Sequence, residues 1–257
     1  MRYKERVGPK QLYPLLVIDA GNTSVKFAKV ARVGGAPKLI ASVPTSKLTV
    51  TRARRAGSGC RSVFVSSVVP SASRVLKRAY PAAQFIGPLT NTGLATSVDR
   101  KTIGSDRLAN VAAAHARHGS KLIVASFGTA ATFDIVDSKG IHRGGAIAPG
   151  WQSFAGILSA RTALLPRLGA KKAARFAGRN TREALTAGIG GGYALMVSGI
   201  IAMLADEAGV KNPRVVFTGG DAAAVAALLP WKAVSDPLLT LRGIALLAQG
   251  IAREASK

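Results

Sequence analysis

Apolar positions along this chain recur in short period-two runs, broken by glycine-rich turns, and alternate with longer runs of helical period. Leu15 to Ile18 form a short buried run, Asp19-Ala20-Gly21-Asn22-Thr23 breaks it with small and polar residues, and Val25 to Val30 restart it. That pattern predicts strand, tight turn, strand. A third strand is expected at Pro37–Val43, a short basic helix at Ser46–Ala56, a buried β-branched strand at Ser62–Val69 and a helix at Pro70–Ala79, with proline allowed in its first turn. Residues 81–103 read as irregular. A helix at 105–117 follows, with Ser105 as a plausible N-cap, Asp106 and Arg107 in its first turn, and Leu108, Val111, Ala112 and His115 on one face. Strands are expected at Lys121–Ser126, Ala131–Asp137 and Ile141–Ile147, then a helix at Trp151–Leu165. Thr181–Ala208 reads as a long helix weakened by Gly188, Gly190, Gly191 and Gly192, at ~1 kcal/mol each relative to alanine. A strand at Arg214–Phe217, a helix to Leu229 and a last helix at Leu238–Ala255 complete an α/β pattern.

The pattern repeats. Val17–Val30 aligns without gaps on Val124–Asp137, with Gly21 over Gly128 and Asn22 over Thr129. The chain therefore reads as two related α/β halves, residues 14–118 and 119–257, behind a basic arm at 1–13. Each half presents a strand–turn–strand to a shared cleft. Such turns bring backbone N–H groups and short hydroxyls to a phosphate, and Gly21 carries no side chain to obstruct the approach. Asp19, at the end of its strand, can face a metal ion. With a third glycine turn at 218–221, the set suits a nucleoside triphosphate. Gly188–Gly192 also resembles a phosphate loop, but no strand precedes it.

Composition narrows the class. Lys plus Arg total 36 against 12 Asp plus Glu, a net charge of +24, which suits anionic ligands. The basic residues are spread through the chain and no nucleic-acid module is visible, so nucleic acid enters only as a non-specific electrostatic partner. The single cysteine, Cys60, excludes an internal disulfide and fits a reducing cytoplasm. The longest apolar stretch, near Tyr193–Ala205, falls short of a membrane span, and no signal-length apolar segment follows the basic N-terminus. Three histidines without a cysteine cluster argue against structural zinc, and His115 and His118 read as ordinary helix surface rather than a metal pair.

Six motifs occur in order: Asp19-x-Gly-Asn-Thr-x-x-Lys26, Gly104-x-Asp106-Arg107, Gly128-Thr129-Ala130-x-Thr132-x-Asp134, Gly144-Gly145-x-Ile147-x-Pro149-Gly150, Asn180-Thr181 and Thr218-Gly219-Gly220-Asp221. Together, over about residues 14–254, they closely resemble the type III pantothenate kinases of bacteria, members of the acetate and sugar kinase/Hsc70/actin superfamily. The resemblance implies duplicated ribonuclease H-like (actin-like ATPase) domains with a cleft between them. It implies a cytoplasmic homodimer that uses ATP and Mg²⁺ to phosphorylate the primary hydroxyl of pantothenate, the first step of coenzyme A synthesis. By position, Asp19, Ala20, Gly21, Asn22, Thr23, Ser24, Val25 and Lys26 resemble the ATP phosphate loop, with Asp19 also able to hold the metal. Thr129, Gly219 and Gly220 fall at nucleotide positions. Gly104, Ser105, Asp106, Arg107 and Thr181 fall at pantothenate positions, with Asp106 in the place of the catalytic base.

Two departures stand out. The aspartate that in the family binds a monovalent cation, potassium or ammonium, is Ser126 here, which keeps an oxygen and loses the charge. Ahead of Gly104, an aromatic residue that contacts pantothenate in many members gives way to Ser97 or its neighbours, and Arg100 replaces a usual proline. The competing expectation is a kinase-like regulatory or nucleic-acid-binding accessory protein with little or no catalysis. Retention of Asp19, Asp106 and Thr129 favours the enzyme, because a pure binding protein has no chemical need for the base.

Overall fold

The computed structural model describes residues 9–255. The expected arm at 1–13 falls mostly outside them, but its end is not loose. Leu12 and Tyr13 are buried, and the Tyr13 hydroxyl accepts a hydrogen bond from Gln249 Nε2 at 2.8 Å.

In chain order the elements are β1 (Leu15–Ala20), β2 (Ser24–Val30), β3 (Lys38–Pro44), α1 (Val50–Ala56), β4 (Ser62–Ser67), α2 (Pro70–Ala79), β5 (Gln84–Phe85) and α3 (Ser105–His118). Then come β6 (Leu122–Phe127), β7 (Ala130–Val136), β8 (His142–Pro149), α4 (Trp151–Arg161), α5 (Thr181–Leu185), α6 (Gly192–Glu207), β9 (Arg214–Thr218), α7 (Ala222–Ala226), β10 (Val234–Ser235) and α8 (Leu239–Ala255). A π-helical segment, Thr186–Gly191, joins α5 to α6 across the glycines that weaken this helix on propensity. Those glycines admit a loop: a Cβ on Gly190 would lie 2.5 Å from the Lys171 carbonyl oxygen, and one on Gly191 2.9 Å from the Phe176 ring.

Two sheets carry the duplication. The first runs β3-β2-β1-β4-β5 and the second, read from its other edge, β8-β7-β6-β9-β10. In both, the first three strands of the half pair antiparallel and the last two add in parallel. The register corrects the ungapped alignment. Ala20 pairs with Val25 across a four-residue turn, whereas Phe127 pairs with Ala131 across a three-residue turn. Beyond the turn the copies are offset by one residue, so Lys26 matches Thr132 and the buried Phe27 matches the buried Phe133.

The chain divides into two compact units, residues 1–117 with 238–257, and residues 118–237. The last helix therefore belongs with the first half rather than with 119–257 as expected from the repeat. The reason is packing. In the first unit Leu16, Ile18, Ala20 and Phe27 pack against α1 and α2, while Leu15, Val17, Ala28 and Phe64 pack against α3 and α8. Alternation along β1 thus gives each face its own helical layer. α8 also lies close on α3, where a Cβ on Gly243 would sit 2.0 Å from the Ala109 carbonyl oxygen.

In the second unit a single core joins the sheet to α4, α6 and α7, with aromatic edges at Phe127–Phe217 (4.8 Å) and Trp151–Tyr193 (5.2 Å). The helical stretch Thr181–Glu207 is long and apolar enough to cross a membrane by length and composition, at a mean hydropathy of 1.7, which exceeds the Tyr193–Ala205 stretch read from the sequence. Its Tyr193, Val197 and Ile201 are buried in this protein core instead.

The Gly243 contact gives a test. Gly243→Ala forces α8 off the α3 backbone and should destabilise the protein by about 1–3 kcal/mol, measured as a lower denaturation midpoint. An unchanged midpoint would show that the helices part without cost.

Candidate active site

Asp19 lies one residue from the end of β1, opposite Lys26 on β2 and Ser66 on β4. Residues opposed across a sheet share a face, so these three side chains form a polar row. Alternation puts the row on the face that carries α3. The first turn of α3 meets it there. Ser105 Oγ is 2.8 Å from Ser66 Oγ, and both residues are buried. Ser105 is therefore the first residue of the helix and a strand contact, not the expected N-cap.

Asp106 is the next residue, and its charge reaches Asp19. Burial first, and repulsion from Asp106 second, raise the Asp19 carboxyl from 3.8 to about 6, with Lys26 partly opposing the shift. Gly104 makes room for Asp106, since a Cβ there would fall 2.5 Å from Oδ1. The Arg107 N–H donates to the same oxygen at 2.9 Å, and the Arg107 side chain is half-buried.

The first turn is pinned from two directions. Gly21 N–H donates to Ser24 O at 3.1 Å, the Thr45 hydroxyl donates to Gly21 O at 2.7 Å, and Thr45 N–H donates to Thr23 O at 3.0 Å. The Gly21 N–H is thus spent inside the turn and does not point at a phosphate. What Gly21 contributes is space: a Cβ there would meet only the Ser24 carbonyl oxygen, at 3.6 Å. Asn22 and Thr23 are exposed, whereas Ala20 and Val25 are buried and offer a ligand backbone only.

A magnesium–nucleotide complex fits this donor set. A carboxylate that burial and, second, the Asp106 charge disfavour gains from a cation beside it, and the turn leaves an open cradle. No group of three or more His, Cys, Asp or Glu gathers among the described residues, so any metal here rests on this carboxylate pair and its ligand.

The equivalent row in the second unit contains only hydroxyls. Ser126 opposes Thr132 on β7 and Thr218 on β9. No carboxylate stands in it, so it offers neutral oxygens only. Loops close over the end of β6 through two glycines. A Cβ on Gly219 (φ 96°) would lie 2.3 Å from the Phe127 carbonyl oxygen, and one on Gly150 would lie 2.0 Å from that of Gly128. Asp221 N–H donates to Phe127 O at 3.1 Å. Thr129, Gly219 and Gly220 thus gather at the carboxyl ends of β6 and β9, with Thr129 and Gly220 exposed. Thr181 is on a different element, exposed at the start of α5, whose N-cap Asn180 accepts the Glu183 N–H at 2.9 Å. Asp134 sits in a buried pair with His142, 2.8 Å from Nε2. Ser66 and Gln152 are missed in the motifs. Ser66 completes the Asp19 row, and Gln152 Nε2 donates to Asp221 Oδ1 at 3.0 Å. Only a polar pair at the end of an apolar strand, Ser66-Ser67, marks the first in the sequence.

The family model for type III pantothenate kinase matches residues 15–203. The chain belongs to the type III pantothenate kinase family. It is 36% identical over 237 residues to the type III pantothenate kinase of Akkermansia muciniphila, covering 91% of this chain and 97% of that one. It is 34% identical over 257 residues to that of Geotalea daltonii, covering 91% and 98%. Among solved structures it is similar to one described as a Baf family transcriptional activator from Campylobacter jejuni (TM-score 0.64, 23% identity, 93% and 99% covered). A second is the activator of 2-hydroxyisocaproyl-CoA dehydratase from Clostridium difficile with bound ADPNP (TM-score 0.54, 15% identity, 94% and 96% covered). At those identities the likeness speaks for fold alone. This pantothenate kinase family member thus has the duplicated ribonuclease H-like fold of the actin-like ATPases.

The raised Asp19 carboxyl makes a prediction whose sign is fixed. A carboxyl titrating higher in the folded than in the unfolded state stabilises the fold below about 3.8, and that contribution is lost as pH rises through about 6. At pH 8 with a chelator, Asp19→Asn should therefore be more stable than the parent by about 1–2 kcal/mol, and the difference should vanish near pH 4. Denaturant titration at both pH values checks it.

Proposed function

We propose that the Asp19–Asp106 pair is the catalytic centre of a kinase that transfers the γ-phosphoryl group of ATP to the primary hydroxyl of pantothenate, the first step of coenzyme A synthesis. The observation that carries this reading is that the first turn of α3, which holds Asp106, meets the sheet face of Asp19 through the Ser66–Ser105 contact, beside an open turn. Phosphoryl transfer demands positioning and charge neutralisation more than covalent help. Asp106 accepts the proton of the attacking hydroxyl, held by the Ser66–Ser105 contact that ties α3 to β4, the strand beside Asp19. Asp19 and Lys26 face the phosphates, and Asn22, Thr23 and Ser24 supply turn polar groups. When bound, Mg²⁺ supplies neutralisation of phosphate charge. Arg107 pairs with the pantothenate carboxylate or a phosphoryl oxygen. Thr129, Gly219 and Gly220 serve the nucleotide, and Gly104 and Thr181 serve pantothenate.

The protein works as a cytoplasmic homodimer in this reading. In support, an apolar helical stretch is left partly uncovered: Leu195 is 61% and Met203 73% exposed on α6, and 39% of the most apolar 18-residue window of Thr181–Glu207 is buried. Potassium or ammonium plays a weaker part than in relatives that keep the aspartate, because the Ser126 row lacks charge.

Two assays of ADP release test the assignment. Asp106→Asn should lower kcat by about 10²–10⁴-fold with ATP binding retained; a variant turning over within threefold of the parent would remove Asp106 from the role of base. Ser126→Asp should increase activation by potassium, and superimposable rate-against-potassium curves would count against a cation site at that position.

A further inference from the structure

A cleft of about 900 Å³ opens in the second unit, away from the motifs. It is lined by His118, Ser120 and Lys121 ahead of β6, Asn212 and Arg214 at the start of β9, and Trp231 and Lys232 ahead of β10. This is the amino-terminal edge of the parallel strands, whereas Ser126 and Thr218 lie at the carboxyl edge, roughly 15 Å along the strands.

Three features separate it from the general basic surface. Its lining holds Lys121, Arg214 and Lys232 and no acidic residue. Among the described residues, the two non-glycine positions with left-handed backbone are Lys121 (φ 58°) and Asn212 (φ 51°), and both line it. Such a conformation is disfavoured for lysine, though asparagine adopts it readily, and it persists where surrounding structure enforces it. Here the enforcement is visible: Lys121 N–H donates to Asp137 O at 3.1 Å, and Lys121 O accepts the Arg214 N–H at 2.8 Å. Third, the walls are fixed. Trp231 donates its indole N–H to Ser198 Oγ at 3.2 Å and meets Phe217 edge-on at 5.8 Å, while Arg214 Nη1 lies 3.5 Å from His118 Nδ1.

We infer that this cleft binds an anion carrying two or more phosphate charges, held by Lys121, Arg214 and Lys232 against the Trp231 wall. Three fixed-sign cations lining one concavity without a carboxylate match the charge of a diphosphate group, and the Ser120 hydroxyl and Asn212 amide add neutral donors. The volume exceeds the needs of a single phosphate and lies in the range of small-ligand sites. The site is additional to the phosphate turn of the kinase centre and does not depend on that assignment.

Calorimetric titration of the full chain with inorganic pyrophosphate tests it. The parent should show a class of binding that is weakened at least about tenfold in Lys121→Gly/Arg214→Ala/Lys232→Ala, while KM for ATP stays within twofold. Glycine at 121 removes the cation and tolerates the left-handed backbone. Lys121→Gly and Lys232→Ala, taken singly at these exposed positions, should each weaken binding at least about threefold and guard against a folding defect in the triple variant. The control is Lys38→Ala/Arg55→Ala/Arg61→Ala, which removes the same charge from exposed positions of the first unit. Equal weakening in control and test variants would overturn the inference, as would no weakening in either, or a rise in KM for ATP parallel to the loss of pyrophosphate binding. ADP titrated into the same proteins separates ligand sources: a tighter second site for ADP than for pyrophosphate supports a nucleotide, and the reverse order supports an inorganic diphosphate.

Discussion

The half-buried Asp19 carboxylate is the constraint on which the first unit depends. Charge removed from water costs free energy unless it is answered, and here the answer is incomplete by construction. Lys26 stands opposite on β2, yet burial and the Asp106 charge still hold the carboxyl near 6. The fold keeps this residue in an unfavourable state because β1 is pinned between β2 and β4, with its apolar neighbours committed to two helical layers. Ser66 and Ser105 then fix how close α3 can bring the second carboxylate. In the proposed kinase reading, a cation with its phosphates would relieve this imbalance at Asp19.

Duplication supplies the same scaffold twice and loads it with different chemistry. Both sheets share strand order and direction, yet the row that reads Lys26–Asp19–Ser66 in one reads Thr132–Ser126–Thr218 in the other. The second turn is also one residue shorter and lies under loops that only Gly150 and Gly219 allow to approach. One copy carries charge; the other offers hydroxyls and close backbone. The cleft at the opposite edge of the second sheet extends this division of labour, since its cations come from the residues that lead into β6, β9 and β10 rather than from those that follow the strands.

Local signals carried much of this into the sequence. Pro70 in a first turn followed by helical periodicity marks α2 at Pro70–Ala79, the bounds found, and the apolar–small–apolar pattern marks the β1–β2 hairpin. The family, and with it Asp19, Asp106 and Thr129 as site candidates, is legible because ordered motifs are themselves local strings. What required tertiary structure are pairings between residues distant in the chain. Tyr13 meets Gln249, Asn110 meets Thr240, and these draw α8 back to the first unit against the order of the repeat. Ser105 has the composition of a helix cap, but a buried hydroxyl takes the partner the fold places beside it, and that partner is Ser66. The offset between the two hairpins is likewise invisible in an ungapped alignment, because cross-strand hydrogen bonding and not residue identity sets register. The sequence by itself determined the elements, the duplication and the chemical groups; the tertiary structure decided which groups meet, because charge, burial and contact are properties of neighbours in space.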